Sequence, residues 1–231
     1  MEAIILTGGL GTRLRSLVSS VPKVMAPIGD KPFLDILASK LIKEGFSHLI
    51  FAVGYKSKFI KEYFGDFFKG VPITYSFEEE PLGTGGAIKR SIPACKEENI
   101  YIFNGDTYVE LEFDIIKTKI KKSNIEILLI GKEVNDISRY GFIDINQGKV
   151  NKIIEKKQNG KGFINIGVYY LNKKYINKYS FPEKFSFEKD FLPLLIKKEK
   201  VDFFKTEGKF IDIGVPKDYL LANKLLKSLK K

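Results

Sequence analysis

Short apolar runs alternate with amphipathic segments over the first 134 residues of the chain. Each apolar run is typical of a strand buried on both faces, and the runs are "EAIILT", "HLIFAVGY", "VPITYSF", "NIYIFNGD" and "IEILLIG". Between the runs, the spacing of apolar residues predicts helices in "KPFLDILASKLIKEGF" and "KSKFIKEYFGDFF", from Thr84 to Ile92, and from Phe113 to Lys122. The alternation predicts an α/β fold with right-handed crossovers and a mostly parallel central sheet flanked by helices.

The pattern changes after residue 134. "YGFIDINQGKVNKIIEKK" is typical of a β-hairpin with its turn at Gln147-Gly148, and "GFINIGVYYL" predicts a further strand. "EKDFLPLLIKKE", "VDFFKTEGKFIDIG" and a terminal helix from Pro216 follow. Because no internal repeat or low-complexity linker interrupts the chain, we expect one domain over 1–231, with an N-terminal half (1–134) and a C-terminal half (135–231).

Composition narrows the chemistry. Cys95 and His48 are the only cysteine and histidine among 231 residues, which excludes a disulfide framework, a Cys/His zinc site and a Ser-His-Asp triad within one chain. The net charge of +11 is spread along the chain, apart from "NKLLKSLKK" at the end, so it suits anionic small molecules better than nucleic acid. No apolar run is long enough for a membrane span or a signal peptide, so we expect a cytoplasmic protein without a membrane partner.

A glycine-rich loop, Gly8-Gly9-Leu10-Gly11-Thr12-Arg13, directly follows the first predicted strand. Its backbone N–H groups lack neighbouring Cβ atoms, which is what close approach to a triphosphate requires. Arg13 adds a planar, permanently charged donor that can bridge two phosphate oxygens. The alternative is a tight turn with Arg13 in solvent, although the combination of three glycines, Thr and Arg favours phosphate binding.

Three further charged residues are candidates for phosphate chemistry. Lys23 lies between two prolines in "VPKVMAP", so it is held outside regular helix near the glycine loop and could stabilise a transferring phosphoryl group. Asp106 in "FNGD" and Asp212 in "FIDIG" each end an apolar run, where two carboxylates could share a magnesium ion already bridged by phosphates. The alternatives are a surface lysine and two turn-capping aspartates.

The segment "FEEEPLGTGGAIKR" suggests a base-binding loop. Gly83, Gly85 and Gly86 open a predicted helix after a strand, and their backbone could wrap a flat base. The acidic run Glu78-Glu79-Glu80 is ordinarily a solvated cluster. If one carboxylate turns inward, however, it would pair with the N1–H and N2 amino donors of guanine.

Together these motifs resemble the sugar-1-phosphate nucleotidyltransferase family, whose members join a nucleoside triphosphate to a sugar 1-phosphate and release pyrophosphate. "LTGGLGTRL" resembles the family signature, "VPKVMAPIGDKPFLD" the Pro-Lys segment and "EPLGTGGAI" the base-binding loop, while "FNGD" and "IDIGVPKDY" are similar to the metal-binding segments. The resemblance implies a Rossmann-like, GT-A-like fold with a small β-rich sugar-binding portion. Residues 1–134 would then form the nucleotide-binding half and 135–231 the sugar-phosphate-binding half.

The resemblance also implies which residues form the site. The nucleotide would be bound by Leu6, Gly8, Gly9, Gly11, Thr12, Arg13, Glu78, Glu80, Pro81, Gly83 and Thr84. Catalytic roles would belong to Arg13, Lys23 and Asp106, and magnesium would be held by Asp106 and Asp212. The sugar and its phosphate would be bound by Tyr140, Gly141, Glu155, Lys156, Asn165 and Gly167.

Within the family, "EEEPLGTGGA", "FSFEKDFLP" and "EGKFIDIGVPKDY" are most similar to the D-glycero-α-D-manno-heptose 1-phosphate guanylyltransferases of bacterial surface-polysaccharide pathways. The implied partners are therefore GTP, a sugar 1-phosphate and Mg²⁺. A thymidylyl-, uridylyl- or cytidylyltransferase acting on a hexose 1-phosphate is the alternative enzyme, and an inactive nucleotide-sugar-sensing relative is the non-enzyme alternative. The sequence leaves the oligomeric state open, with a homodimer as one candidate.

Overall fold

In the computed structural model of the protein, the described residues are 1–9, 11, 14, 17, 18, 20–154 and 159–226. Their strands are β1 (Glu2–Leu6), β2 (Pro27–Ile28), β3 (Lys31–Pro32), β4 (His48–Val53), β5 (Phe67–Phe68), β6 (Val71–Phe77), β7 (Asn99–Asn104), β8 (Thr107–Val109), β9 (Ile127–Val134), β10 (Phe142–Asn146), β11 (Lys149–Ile154), β12 (Gly162–Asn172), β13 (Asp202–Thr206) and β14 (Phe210–Asp212). Their α-helices are α1 (Phe33–Lys43), α2 (Ser57–Phe64), α3 (Gly83–Ser91), α4 (Phe113–Ser123), α5 (Lys174–Lys178), α6 (Leu192–Lys198) and α7 (Pro216–Leu226).

A ten-stranded sheet forms the centre of the described chain, in the order β10-β11-β13-β9-β12-β7-β1-β4-β6-β5. Strand β1 pairs in parallel with β4 and β7, and β4 pairs in parallel with β6. The carboxyl ends of these four strands therefore meet at one edge, which is where ligands bind in open α/β sheets. The apolar runs predicted as buried strands occupy this part of the sheet.

The C-terminal half makes the sheet mixed. Strand β12 runs antiparallel to both β7 and β9, and β10 and β11 form the expected hairpin with its turn at Gln147 and Gly148. The α/β fold with a small β-rich portion is confirmed, but its parallel pairs lie mainly in the N-terminal half. Parallel neighbours need long crossovers, whereas the hairpin in this half brings strands back in the opposite direction.

Helices cover both faces of the sheet. Alternate residues of β1 point to opposite faces: Ala3 and Ile5 pack with α1, α2 and α4, whereas Ile4 packs with α3, α5 and α6. A third, smaller cluster packs α7 beside β8 and β14. These layers hold the strand ends rigidly, so the loops at the carboxyl edge start from fixed positions.

The second predicted helix is shorter than expected. It ends at Phe64 because Gly65 adopts φ +59° and ψ −156°, a conformation that cannot continue a helix, and Phe67–Phe68 then form β5 against β6. The segment "VDFFKTEGKFIDIG" divides into two strands: β13 joins the main sheet, and β14 pairs separately with β8. Within the described residues, no helix has the length and apolarity to cross a bilayer.

Candidate active site

A cleft of about 280 Å³ opens at the carboxyl edge of the parallel strands. It is lined by Leu6, Thr7, Gly8, Gly9, Lys23, Val24, Ala52, Glu78, Pro81, Gly83, Thr84, Ala87, Asn104 and Asp106. The lining thus combines the first two glycines of the predicted phosphate loop, residues of the predicted base loop and a metal-ligand candidate. Sequence segments far apart in the chain meet here because β1, β4, β6 and β7 are neighbours in the sheet.

The glycine loop after β1 is shaped by close contacts. A Cβ built on Gly8 would lie 3.0 Å from Glu78 Oε1, and one on Gly11, whose φ is +60°, would lie 2.9 Å from Lys23 Cβ. Glycine at both positions lets the backbone pass beside a carboxylate and a lysine that belong to other parts of the site. Leu10, Thr12 and Arg13 lie outside the described residues.

Lys23 and Asp106 form an ion pair inside the cleft. Lys23 starts a short 3-10 turn, Lys23–Met25, and its Nζ lies 2.5 Å from Asp106 Oδ2. The lysine side chain is only 10% exposed and the aspartate side chain 32% exposed. The pair places a positive charge next to a carboxylate at the point where phosphates are expected to lie.

Asp212 lies beside this pair. Strand β14 pairs with β8 so that Asp212 is opposite Thr107, and the N–H of Ile213 donates to the backbone carbonyl of Asp106 at 3.0 Å. Burial raises the pKa of Asp212, and the negative charge of Asp106 raises it further, against a smaller opposing effect of Lys23. Asp212 Oδ1 also accepts from the N–H of Gly214 at 2.6 Å. The small β8–β14 sheet therefore holds two mutually repelling carboxylates close together.

This pair of carboxylates fits a hard divalent cation. The described residues contain no group of three or more Asp, Glu, His or Cys side chains arranged to hold a metal. Mg²⁺ is commonly bound by only one or two carboxylates, with water and substrate phosphates completing its shell. The donor set of Asp106 and Asp212 matches that pattern, and a cation between them would relieve their repulsion.

At the other end of the cleft, one acidic residue of the Glu78-Glu79-Glu80 run turns inward. Glu78 Oε2 accepts from the N–H of Leu82 at 2.9 Å, and burial raises the pKa of its carboxyl. Glu79 and Glu80 are exposed, and Glu80 does not line the cleft. Gly83 adopts φ +73° at the start of α3 and lines the cleft together with Thr84.

Gly85 and Gly86 serve packing rather than the base pocket. Both are buried, and a Cβ on Gly85 would lie 2.2 Å from the Phe185 ring, while one on Gly86 would lie 2.4 Å from the carbonyl oxygen of Glu183. The N–H of Gly85 donates to the Phe185 carbonyl at 3.0 Å. The expectation that these two glycines wrap a base is therefore corrected: they let the segment around residues 183–185 lie directly on α3.

The predicted sugar-contact residues divide into two groups. Asn165 and Gly167 lie at a bulge in β12 beside Asn104, where a Cβ on Gly167, whose φ is +72°, would lie 2.3 Å from Asn104 Nδ2. Asn165 Oδ1 accepts from the N–H of Gly167 at 3.0 Å. These two residues adjoin the cleft through Asn104, although neither is among its lining residues.

Tyr140 and Gly141 lie further along, just before β10. The Tyr140 ring packs edge-to-face on Phe210 at a centroid distance of 6.2 Å. Phe210 belongs to β14, which ends at Asp212, so Tyr140 lies on the Asp212 side of the site. Burial raises the pKa of Tyr140, against an opposing effect of the Arg139 charge. Glu155 and Lys156 lie outside the described residues.

Three polar residues of the site were not singled out by the sequence. Asn104 lines the cleft, and its buried Oδ1 has no hydrogen-bond partner among the described residues. Glu188 accepts a hydrogen bond from Thr84 Oγ1 at 2.5 Å, and the hydroxyl of buried Tyr169 accepts one from Asn165 Nδ2 at 2.7 Å. Asn104 could have been predicted as a site residue, because it is the polar residue that ends the apolar run "NIYIFN". The positions of Glu188 and Tyr169 near the site depend on contacts between segments far apart in the sequence.

Comparison with known proteins gives matches over almost the whole chain. The profile of the nucleotidyl transferase family matches residues 2–228. A D-glycero-alpha-D-manno-heptose 1-phosphate guanylyltransferase of Campylobacter jejuni is 48% identical over 95% of this chain and 97% of its own length. One of Aneurinibacillus thermoaerophilus is 44% identical over 98% of both chains. The crystal structure of HddC from Yersinia pseudotuberculosis complexed with GMP-PN superposes with a TM-score of 0.86 at 39% identity, covering 97% of this chain and 99% of that one.

Proposed function

Since this chain belongs to the nucleotidyl transferase family, we propose that it transfers GMP from GTP to D-glycero-α-D-manno-heptose 1-phosphate, giving GDP-heptose and pyrophosphate. The observation that carries the proposal is the full-length similarity to two relatives that bear this activity in their names. The product would supply heptose for a bacterial surface polysaccharide, such as a capsule or a lipopolysaccharide.

Glu78 is the group proposed to recognise guanine. An ionised carboxylate only accepts hydrogen bonds, and guanine presents two adjacent donors, N1–H and the N2 amino group. Glu78 Oε2 already accepts from Leu82, which fixes the carboxylate, and Oε1 lies over Gly8. A rigid acceptor in this position favours guanine over bases that lack the paired donors.

The phosphates are proposed to lie along the glycine loop and Lys23. Gly8 and Gly9 line the cleft together with Lys23, so glycine backbone and an ammonium group border the same space. Arg13, by its place in the family signature, would add a bidentate donor at the reacting phosphorus. These groups neutralise charge that develops on the phosphates during transfer.

Asp106 and Asp212 are proposed to hold Mg²⁺ against the triphosphate. When bound, the ion supplies Lewis-acid stabilisation of the phosphate oxygens and helps to orient them. Lys23 contacts Asp106 and would stabilise the leaving pyrophosphate from the same side of the cleft. The sugar 1-phosphate would enter from the side of Asn165, Gly167 and Tyr140.

The reaction needs no protein nucleophile. An oxygen of the sugar 1-phosphate forms a bond to the α-phosphorus, the bond from that phosphorus to the bridging oxygen breaks, and pyrophosphate leaves with the electron pair. The structure is consistent with this route, because His48 lies at the amino end of β4, opposite the cleft. Cys95 is buried, and burial raises the pKa of its thiol to about 12. The protein's contribution is positioning and charge neutralisation.

The test is a substrate matrix with pyrophosphate release as the readout. GTP, ATP, UTP, CTP and dTTP are each paired with the 1-phosphates of D-glycero-α-D-manno-heptose, mannose, glucose and N-acetylglucosamine in the presence of Mg²⁺. We expect the highest kcat/KM for GTP with the heptose 1-phosphate. Turnover of dTTP or UTP with glucose 1-phosphate, and none with GTP, would contradict the guanylyltransferase proposal while leaving the family unchanged.

A further inference from the structure

A chain of hydrogen bonds and one ring contact connects the base end of the cleft to the sugar end, and the turn that carries Phe187 and Glu188 is at its centre. We propose that Glu188 is a positioning residue that couples binding of the nucleotide to binding of the sugar 1-phosphate. The inference rests on the proposed function for the identity of the two ligands. It assigns a role to a carboxylate that the reaction itself does not use.

The first link holds the nucleotide side. Thr84 lies in the first turn of α3 and lines the cleft. Its Oγ1 donates to Glu188 Oε2 at 2.5 Å and accepts from the N–H of Phe187 at 2.9 Å. The proton and one lone pair of the hydroxyl are therefore used behind the cleft, so the position of α3's first turn depends on where Glu188 lies.

The second link holds the sugar side. Tyr169 is buried in β12, and its ring packs edge-to-face on the ring of Phe187, the residue before Glu188, at a centroid distance of 4.8 Å. Burial raises the pKa of Tyr169 well above its usual value, and the nearby charge of Glu188 acts in the same direction. The hydroxyl oxygen of Tyr169 accepts from Asn165 Nδ2 at 2.7 Å.

This chain fixes the orientation of the Asn165 amide. Its Nδ2 donates to Tyr169 and its Oδ1 accepts from the N–H of Gly167, so the amide cannot be reversed without losing both bonds. One N–H and one lone pair of the amide remain for a ligand. The position of a sugar hydroxyl that uses them would therefore be transmitted through Tyr169 to the turn of Phe187 and Glu188, and from there to Thr84.

The backbone around Glu188 is built to place it between these two ends. Residues Phe187–Phe191 form a wide π-type turn, and Ser186 caps it by accepting from the N–H of Lys189. Such turns are uncommon and occur frequently at functional positions. Ser186 Oγ also donates to Glu188 Oε2 at 3.3 Å, which steadies the carboxylate locally. The hydrogen-bonded groups of this turn lie beside the buried rings of Phe185, Phe187 and Phe191, where burying polar groups costs desolvation free energy that apolar packing would avoid. Their presence there favours a role in fixing the position of the turn.

The experiment measures coupling directly. Binding of α,β-methylene GTP, whose α–β bond is not cleaved by transfer, is followed by calorimetry alone and with saturating heptose 1-phosphate. In the wild-type protein we expect the sugar 1-phosphate to tighten nucleotide binding about fivefold, the size expected when one hydrogen bond is strengthened. In Tyr169→Phe and in Thr84→Val, each of which breaks the chain at one link, the ratio should fall below about twofold.

Matched controls separate coupling from general damage. Tyr170→Phe removes the hydroxyl of the neighbouring buried tyrosine, which packs against Tyr101 on the other face of the sheet, and Thr118→Val removes a hydroxyl from α4. Both should keep the wild-type ratio. Because Tyr169 does not line the cleft, Tyr169→Phe should also leave nucleotide affinity without the sugar within about twofold.

Each outcome has one meaning. If the wild-type protein releases pyrophosphate from GTP with heptose 1-phosphate but shows a ratio near one, or if both link variants keep the wild-type ratio, the positioning role of Glu188 is overturned. If one variant fails to fold, the other still decides the question, since Thr84 and Tyr169 lie on different elements. If the wild-type protein neither binds nor uses these substrates, it is the proposed function that fails.

Discussion

Replacing Glu78 with glutamine tests how the nucleotide base is selected. Glu78 Oε2 accepts from the Leu82 N–H, so the glutamine oxygen can keep this bond, and the new NH₂ group must then occupy the place of Oε1 above Gly8. The glutamine NH₂ group, a hydrogen-bond donor, would then face the N1–H and N2 donors of guanine in place of the Oε1 acceptor of Glu78. Hydrogen bonds to a charged group contribute about 1.5–3 kcal/mol, so kcat/KM for GTP should fall about 10- to 100-fold.

Glu79 supplies the matched control. It is adjacent in sequence and exposed, so Glu79→Gln removes the same charge without touching the cleft. The assay is pyrophosphate release at limiting GTP, with thermal unfolding to confirm that both variants fold. Because burial raises the pKa of Glu78, protonation should also reduce kcat/KM for GTP in wild-type protein at a pH above the usual glutamate range. The reasoning is refuted if Glu78→Gln keeps GTP turnover within twofold, or if Glu79→Gln loses as much.

Three further predictions concern the metal site, the sheet and the bulge. Asp106→Asn should lower Mg²⁺-dependent turnover by about 100-fold or more while leaving the unfolding midpoint nearly unchanged. The control Asp144→Asn, on the β10–β11 hairpin, should leave turnover unchanged. Equal activity of the two variants would contradict a role of Asp106 in binding the metal. Burial raises the pKa of Glu2, but its hydrogen bonds lower it by more, so the ionised carboxylate should stabilise the fold above about pH 4.5 and lose this effect as the pH falls through the folded-state pKa. In urea unfolding, the difference in unfolding free energy between wild type and Glu2→Gln should therefore shrink in acid. A difference that stays constant with pH would contradict the assignment. Gly167→Ala should cost at least about 2 kcal/mol of unfolding free energy and raise KM for the sugar 1-phosphate. The control Gly148→Ala has a similar φ but no atom within 4 Å of the added carbon, so it should cost about 1 kcal/mol and leave KM unchanged. Equal effects of the two variants would exclude the contact with Asn104 as the cause.

The N-terminal half of the fold could be predicted because its signals are local. Each buried parallel strand is a continuous apolar run, and each helix carries an apolar face, so both are visible within about ten residues. Strand direction in the C-terminal half is different: whether β12 pairs with β7, β9 or both depends on packing across the sheet. The early end of α2 was not predicted from the sequence. The helix ends because Gly65 adopts a positive φ, and this conformation follows from the pairing of β5 with β6.

The candidate site shows the same division. Gly8, Lys23 and Asp106 follow a strand or lie between prolines, and their chemistry is visible in short motifs, so the cleft brings them together as the motifs predict. The sequence offered three adjacent glutamates and no means of choosing among them. Only the bond from Leu82 and the contact with Gly8 distinguish Glu78 from Glu79, and both depend on how the loop closes over β1.

The glycines of the predicted base loop have more than one structural role. "GTGG" contains glycine for two physical reasons: Gly83 adopts a positive φ at the cleft, and Gly83, Gly85 and Gly86 all need room for the segment of Phe185 and Glu183, about 100 residues away in sequence. The same packing brings the turn after Phe185 against α3, and that turn carries Glu188 to Thr84. Loss of space at Gly85 should therefore disturb the link to the sugar side as well as the base pocket. A substitution such as Gly85→Ala, which places a carbon 2.2 Å from the Phe185 ring, should weaken the coupling between the two substrates even though Gly85 lines neither subsite.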